Sequence, residues 1–218
     1  MKIGIIGAGG IAKTYGKLWR VAGHQVMLSS RTADTRESAA RSIGVQSGTP
    51  EEAAAFGDVV LLAVNYWTLE DAIARIAQFV TGKLVIDATN PLQYAEGGGV
   101  ERVIAEDEIA GLVMARKLPA ARIAKGFTTL WTGHVEKHAD PANPKVAMTL
   151  AADDQADRAV LAALVRDAGL VPVDLGTLAQ SRPLDPPSPI WNVVLTAEEL
   201  AARLIEDQQA STEAEAEK

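Results

Sequence analysis

The chain has 218 residues, of which 48% are hydrophobic, and it contains no cysteine. This length fits one large α/β domain or one domain with a small appendage, and the apolar content excludes bulk disorder. The missing cysteines exclude disulfides, thiolate metal sites and cysteine nucleophiles, so we expect a reducing, cytoplasmic location. The net charge is −7 and comes mostly from the end of the chain, which argues mildly against nucleic-acid binding.

Strands and helices are predicted to alternate along the chain. Apolar, β-branched runs predict strands at Lys2–Ile6, Gln25–Leu28, Val59–Val64, Leu84–Ala88, Ile123–Phe127, Lys145–Leu150 and Val171–Asp174. Helical spacing and caps predict helices at Ile11–Val21, Thr35–Ser42, after the capping box at Thr49, and at Thr68–Phe79, Glu106–Lys117, Gln155–Ala168 and Thr196–Glu206. This alternation is typical of an α/β fold with a Rossmann-like, doubly wound, mainly parallel sheet.

The chain is predicted to divide into two parts. Residues 1–182 form a Rossmann-like NAD(P)-binding domain, and residues 183–218 form a C-terminal extension with one helix and a polar, disordered tail. Residues after about Glu206 are therefore expected to be dispensable. The longest apolar run, Val59–Val64, is too short to cross a bilayer, so no membrane partner is expected.

A glycine-rich turn follows the first predicted strand. Its sequence, GAGGIA, matches the pattern G-x-G-x-x-A. Gly7 allows the tight turn, Gly9 lets the backbone approach a pyrophosphate, and Ala12 permits close packing of helix on strand. The amides of Gly10 and Ile11 lie at the helix N-terminus, where free N–H groups favour an anion. The turn predicts a dinucleotide site; a glycine turn without a ligand is the alternative.

The end of the second predicted strand distinguishes between the two nicotinamide dinucleotides. An NAD site usually has Asp or Glu there to bind the ribose hydroxyls. This chain instead has Ser30, Arg31 and Thr32, with Arg36 one helical turn further. Hydroxyl and guanidinium groups suit a 2′-phosphate, so NADP(H) is predicted. A solvated surface arginine is the alternative.

Further polar and aromatic residues follow the next strands at the same edge of the sheet. Asn65, Thr89 and Asn90 offer groups for a ribose or a nicotinamide carboxamide. Tyr66, Trp67, Phe127 and Trp131 are candidates to wall a flat ligand, and core packing is the alternative, with neither favoured for Phe127 and Trp131. If a flat ligand stacks on a nicotinamide ring, small residues have to line the gap between the two rings. Gly126 and Ala88 are the candidates.

No catalytic side chain is predicted, because the sequence shows no recognisable Ser/His/Asp arrangement and no paired-carboxylate motif. A bound cofactor then carries the chemistry. His134 and His138 have the spacing of a metal pair on a helix, but two ligands without a third are a weak signal. The neighbouring prolines favour a surface loop, and no metal is predicted.

Six segments of the chain together resemble the NADPH-dependent coenzyme F420 (deazaflavin) reductases, also called F420-dependent NADP oxidoreductases. They are GIIGAGGIA, LSSRT, VVLLAVNYW, VIDATNPL, IAKGFTTLW and VRDAGLVPVDLGTLAQSRPL. The resemblance covers Met1 to about Leu184. It implies a Rossmann domain with a small C-terminal extension that transfers hydride between NADP(H) and the deazaflavin, a small planar acceptor.

The resemblance also implies roles for single residues. It assigns Gly7, Gly9, Gly10 and Ile11 to the pyrophosphate, Ser30 and Arg31 to the 2′-phosphate, and Val64 and Asn65 to the nicotinamide side, with Thr89 and Asn90 nearby. Two other functions stay open: reduction of a small carbonyl or imine, and an NADP(H)-binding regulator without turnover. We expect a homodimer, since closed twofold assemblies are the commonest.

Overall fold

The computed structural model describes residues 1–95 and 97–216, with side chains as far as Gln209. Its strands are β1 (Lys2–Ile6), β2 (Gln25–Ser29), β3 (Gln46–Gly48), β4 (Val59–Leu62), β5 (Leu84–Asp87), β6 (Leu92–Tyr94), β7 (Val100–Arg102), β8 (Arg122–Gly126), β9 (Ala147–Ala152) and β10 (Val171–Asp174). Its α-helices are α1 (Gly10–Val21), α2 (Ala33–Ile43), α3 (Pro50–Phe56), α4 (Leu69–Ile76), α5 (Ala110–Lys117), α6 (Thr132–Ala139), α7 (Gln155–Asp167) and α8 (Ala197–Ala216).

Eight of the strands form one sheet in the order β10-β9-β8-β5-β4-β1-β2-β3, and β6 pairs with β7 in a separate hairpin. Neighbouring strands of the large sheet are parallel except β8 and β9. From β1 the chain winds outward to β2 and β3 and then returns to β4 on the other side. This reversal is the switch point at which open α/β sheets bind ligands. The predicted Rossmann-like, mainly parallel fold is confirmed.

Both faces of the sheet are buried. Ile3 and Ile5 of β1 pack with Trp19 of α1 on one face, while Val60 of β4 packs with Ile76 of α4 on the other. Two covered faces explain why the central strands are continuously apolar in sequence.

A short hairpin that was not predicted from the sequence lies between β5 and α5. Strands β6 and β7 pair there, and Gln93 Nε2 donates a hydrogen bond of 2.6 Å to Glu101 Oε1 across them. Gly98 and Gly99 take positive φ angles of 87° and 84° at the turn, which other residues rarely adopt. Three-residue strands carry too little periodicity to be predicted from sequence.

Residues 132–139 form helix α6 and not the predicted surface loop. Val135 packs into the core, and His138 is buried with Nδ1 2.8 Å from the Pro144 carbonyl oxygen. His134 lies edge-on against Trp131, with 5.7 Å between ring centroids. Among the described residues, no group of three or more His, Cys, Asp or Glu side chains could hold a metal ion. Burying one face of α6 stabilises the helix, and this outweighs the tendency of the neighbouring prolines to form a loop.

Helix α8 is longer than predicted. It extends to Ala216, whereas the sequence analysis placed its end near Glu206 and a disordered tail beyond it. The residues after Glu206 are mostly Ala, Glu and Gln, which favour helix, and none is Gly or Pro. Glu217 and Lys218 lie outside the described residues. None of the described helices is both long and apolar enough to span a lipid bilayer.

Removal of residues 210–218 should leave the melting temperature unchanged. Leu200 of α8 is buried and Leu204 packs beside it, against Ile190 and Ala147. The sequence after Gln209 is polar and acidic and has no apolar stripe to bury. Thermal unfolding of the full and truncated chains measures the difference. A loss of several degrees would mean that the end of the chain packs on the body or on a partner subunit.

Candidate functional site

Three adjoining hollows lie at the carboxyl ends of the parallel strands. The glycine hollow has a volume of about 330 Å³ and is lined by residues that include Gly7, Gly9, Ser30, Arg31, Val64 and Asn65. The central hollow, of about 200 Å³, is lined by residues that include Ile11, Val64, Asn65, Trp67, Ala88, Asn90 and Tyr94. The aromatic hollow, of about 280 Å³, is lined by residues that include Ile11, Asn90, Trp131 and Trp191. Shared lining residues join the three into one cleft.

The glycine turn forms an anion cradle at the start of α1. Gly7 has φ +133°, and a Cβ there would lie 2.1 Å from the Ala63 carbonyl oxygen, so no side chain fits. A Cβ on Gly9 would meet no atom within 4 Å, which leaves space for a ligand. Gly9 is the N-cap of α1, and the first amides of that helix have no partner within it. A pyrophosphate fits this cradle.

Arg31 lies at the far end of the glycine hollow with a free guanidinium. Strand β2 ends at Ser29, whose hydroxyl donates a hydrogen bond of 2.9 Å to the Ile5 carbonyl, so Ser30 and Arg31 follow the strand into the hollow. Within residues 1–95 and 97–209, the Arg31 side chain has neither an ion pair nor a hydrogen bond. A free guanidinium beside a hydroxyl is a donor set for a phosphate group.

Five of the predicted site residues do not line the three hollows. Thr32 donates its hydroxyl to Thr35 Oγ1 at 2.8 Å, and Thr35 takes its place on the hollow surface. Arg36 lies outside the lining, Gly10 faces Thr132 of α6, and Ala12 and Thr89 are buried.

The wall formed by α3 and α4 was not predicted from the sequence. It comprises Pro50, Thr68, Asp71, Ala72 and Arg75. Two hydrogen bonds of 2.6 and 3.0 Å join the Arg75 guanidinium to the Glu51 carboxylate. The hydrogen bond from Arg75 is the largest of the influences that lower the pKa of Glu51 to about 2, so the pair is ionised at neutral pH. Nothing in the sequence indicates this pairing, since it depends on how two helices meet.

Exposed aromatic side chains border the central and aromatic hollows. Trp67 is 56% exposed and Tyr94 is 76% exposed, with 5.6 Å between their ring centroids. Trp131, on the other side, is 64% exposed. Large apolar side chains clustered at a cleft are typical of ligand sites. Ala88 lines the central hollow, and Trp131 lines the aromatic hollow and does not lie in the core.

Phe127 and Gly126 belong to the core and not to the cleft. Phe127 is fully buried, with its ring centroid 4.4 Å from that of Tyr15 and 5.4 Å from that of Trp19. A Cβ on Gly126 would point at Leu161 of α7, 3.2 Å away. Of the two alternatives left open for Phe127, the structure shows core packing and not a wall of the ligand site. The expectation that Gly126 lines the ring gap is wrong, because both positions face the helices that cover the sheet.

Tyr66 lines the central hollow as a neutral phenol. Burial, reinforced by the negative charge of Asp87, raises its pKa to about 12. Its hydroxyl is therefore protonated at neutral pH and can donate a hydrogen bond, but it cannot serve there as a general base.

Asn90 lies where the central and aromatic hollows meet. Its Nδ2 donates a hydrogen bond of 3.3 Å to the Thr128 carbonyl. Its Oδ1 is buried and has no hydrogen-bond partner among the residues that the structure describes. Leaving a buried hydrogen-bond acceptor unpaired costs about 1–3 kcal/mol. A ligand N–H group that donates to Oδ1 would remove this cost, which would favour binding.

Buried charges lie behind this junction. Lys125 Nζ donates hydrogen bonds to Asp87 Oδ2 and to the Thr89 carbonyl. Arg102 of β7 donates to the carbonyls of Glu108 and Pro186, at 2.6 and 3.3 Å.

Asp185 completes this buried group of charges. Its Oδ2 lies 3.6 Å from Arg102 Nη2 and accepts a hydrogen bond of 2.8 Å from the Ala110 amide. Burial raises the pKa of Asp185, against the opposing influence of Lys125, the Ala110 amide and Arg102. Arg102 thereby ties the hairpin to the segment that precedes α8.

The fold and the cleft together define a Rossmann-type dinucleotide-binding protein. Residues 2–91 match the family model described as "NADP oxidoreductase coenzyme F420-dependent". The chain is 28% identical to the F420-dependent NADP reductase of Methanothermobacter thermautotrophicus, over 87% of each chain. It is 24% identical to the enzyme of that name from Methanocaldococcus jannaschii, over 87% of this chain and 90% of the relative.

A solved structure of a hypothetical protein from Sinorhizobium meliloti has the same fold. The TM-score is 0.76 and the identity 25%, over 90% of this chain and 95% of that one. Taken together, the family model over residues 2–91 and the archaeal relatives make the chain similar to the F420-dependent NADP oxidoreductases. The resemblance of its six sequence segments is thereby confirmed.

Proposed function

We propose that the protein is an NADP(H)-dependent oxidoreductase that transfers hydride between NADPH and coenzyme F420. One observation carries this proposal: a continuous cleft joins the free guanidinium of Arg31 to the aromatic border formed by Trp67, Tyr94 and Trp131. The glycine hollow suits the phosphorylated half of a dinucleotide, and the other two suit flat rings. Relatives of similar length that are named F420-dependent NADP reductases support the same acceptor.

Each part of the dinucleotide has residues to hold it. Gly7, Gly9 and the Ile11 amide would bind the pyrophosphate, Ser30 and Arg31 the 2′-phosphate, and Val64, Asn65 and Asn90 the nicotinamide end. When bound, NADPH supplies a hydride from C4 of its nicotinamide ring. The protein has to bring the two rings into contact and exclude water from the gap.

The chain's own residues meet these requirements without a catalytic acid or base. Ile11, Val64 and Ala88 give the central hollow apolar walls that exclude water. Trp67 and Tyr94 provide faces on which the acceptor stacks. Direct hydride transfer between stacked rings needs position above all.

The test mixes the protein, NADPH and oxidised F420 and follows the loss of deazaflavin absorbance. The balanced reaction is NADPH + F420 + H⁺ → NADP⁺ + reduced F420. We expect transfer with NADPH and far slower transfer with NADH. Turnover of a small aldehyde or imine without F420 turnover would identify a carbonyl or imine reductase. Tight NADPH binding without turnover of any acceptor would identify a regulator.

We also propose a homodimer, a cytoplasmic location and a division of the chain after residue 182. Light scattering tests the homodimer, which has twice the chain mass of 23.0 kDa. The cysteine-free sequence supports a cytoplasmic location, which cell fractionation tests. The division into residues 1–182 and 183–218 rests on the sequence, since Ile190 and Leu200 pack on Ala147 of β9, and limited proteolysis tests it.

A further inference from the structure

A buried clamp holds the turn that leads to Asn90. Asp87 Oδ1 accepts hydrogen bonds from the Thr89 amide at 2.9 Å and from the Thr89 hydroxyl at 2.7 Å. Lys125 Nζ, reaching across from β8, donates to Asp87 Oδ2 at 2.7 Å and to the Thr89 carbonyl at 2.6 Å. The side chains of Lys125 and Asp87 are 0% and 1% exposed. Neither touches the cleft.

The clamp fixes the direction in which Asn90 leaves the strand. The Thr89 carbonyl belongs to the planar peptide unit that also contains the Asn90 amide, so holding that oxygen orients the whole unit. The second tie on Asn90, from its Nδ2 to the Thr128 carbonyl, ends two residues beyond β8. Strand β8 and the residues that follow it therefore position both the backbone amide and the side-chain Nδ2 of Asn90. The Oδ1 atom of Asn90 is left unpaired among the described residues.

Stability alone gives little reason for charges at this place. Burying two ions is costly, and well-packed apolar side chains often replace such a pair without loss of stability. What an apolar pair cannot supply is a donor to the Thr89 carbonyl. The Lys125 ammonium supplies that donor while the Asp87 carboxylate balances its charge.

We propose that Lys125 is a positioning residue: by holding the Thr89 carbonyl it directs Asn90 Oδ1 toward an N–H of the nicotinamide carboxamide. The proposal depends on the proposed function only in taking NADP(H) as the ligand. Its test is a binding measurement without an acceptor, so a failure of F420 turnover would not decide it.

The experiment compares two ligands in calorimetric titrations. One is NADPH, and the other is 2′-phospho-ADP-ribose, which has no nicotinamide. The main variant combines Lys125→Met with Asp87→Asn, which removes both charges but keeps an oxygen for the two Thr89 donors. We expect its NADPH affinity to fall about tenfold, the size of one lost hydrogen bond. Its affinity for 2′-phospho-ADP-ribose should be unchanged, whereas equal losses for both ligands would overturn the proposal.

Asn90→Ala completes the test and disturbs no buried charge. It should lose the same preference for NADPH, and adding it to the Lys125/Asp87 variant should cause no further loss, because the two act through one contact. If the affinity losses of the two variants multiply in the combined variant, the proposal is overturned. An unchanged preference for NADPH in Asn90→Ala would overturn it as well, even where the Lys125/Asp87 variant fails to fold.

A matched control lies at the other end of the same strand. Arg122 Nη1 donates a hydrogen bond of 2.7 Å to the buried carboxylate of Asp157, far from the cleft. Replacing this pair by Arg122→Met with Asp157→Asn removes another ion pair of the same strand, in which the carboxylate is buried but the arginine is 51% exposed. Both ligands should bind this variant as they bind the wild type. A selective loss of NADPH affinity in this control would mean that disturbing any contact of β8 weakens NADPH binding. That result would contradict a specific role of Lys125.

Discussion

Lys125→Met alone should destabilise the protein by about 3–5 kcal/mol, the cost of leaving one partner of a buried ion pair unpaired. The Asp87 carboxylate is 1% exposed, and without the ammonium it keeps its two Thr89 donors but loses its counter-charge. Chemical denaturation monitored by circular dichroism measures the change. The loss is large relative to the stability of an ordinary domain.

The matched variant separates charge from packing. Adding Asp87→Asn to Lys125→Met removes the unpaired charge, so most of the lost stability should return. If the single variant loses less than about 1 kcal/mol, the level of an exposed pair, then water reaches Asp87 when Lys125 is shortened. That result would contradict the description of the pair as a closed buried unit.

Arg31→Ala should weaken NADPH binding by roughly one to two decades while leaving NADH binding nearly unchanged. A hydrogen bond to a charged group is worth about 1.5–3 kcal/mol, and Arg31 has no competing partner among the described residues. Arg31 is exposed, so its proposed contact with the 2′-phosphate would be open to solvent and the loss should shrink at high salt. Titrations with both cofactors at two salt concentrations measure it.

Arg41→Ala is the control for Arg31→Ala. Arg41 is an exposed arginine in the last turn of α2 and lies outside the cleft lining, so both cofactors should bind this variant normally. An equal loss of NADPH and NADH affinity in Arg31→Ala would contradict the 2′-phosphate assignment, since NADH lacks that group.

Local features of the site could be predicted from sequence, and contacts between distant segments could not. The glycine turn and the capping box at Thr49 each depend on residues a few positions apart, and both are present as predicted. Asp87 and Lys125 are 38 residues apart, and they meet because β5 and β8 are neighbours in register. The sequence shows an acid and a base but not that register.

The misplacement of Phe127 has a similar cause. It directly follows β8, where residues at the sheet edge face either the cleft or a covering helix. Its φ of 61° and its contact with Tyr15 turn it into the core. A non-glycine residue in the left-handed region cannot be recognised from its neighbours in sequence, because the aromatic packing that holds it comes from α1.

The tie between Arg102 and Asp185 makes the hairpin and the C-terminal segment one unit for protein engineering. The hairpin carries Tyr94 at the central hollow, and its second strand is anchored to the Pro186 carbonyl and the Asp185 carboxylate. A chimera whose new hairpin lacks a basic residue at position 102 would leave the buried Asp185 carboxylate without this partner. In recombination experiments, residues 92–102 and 184–186 should therefore be transferred together.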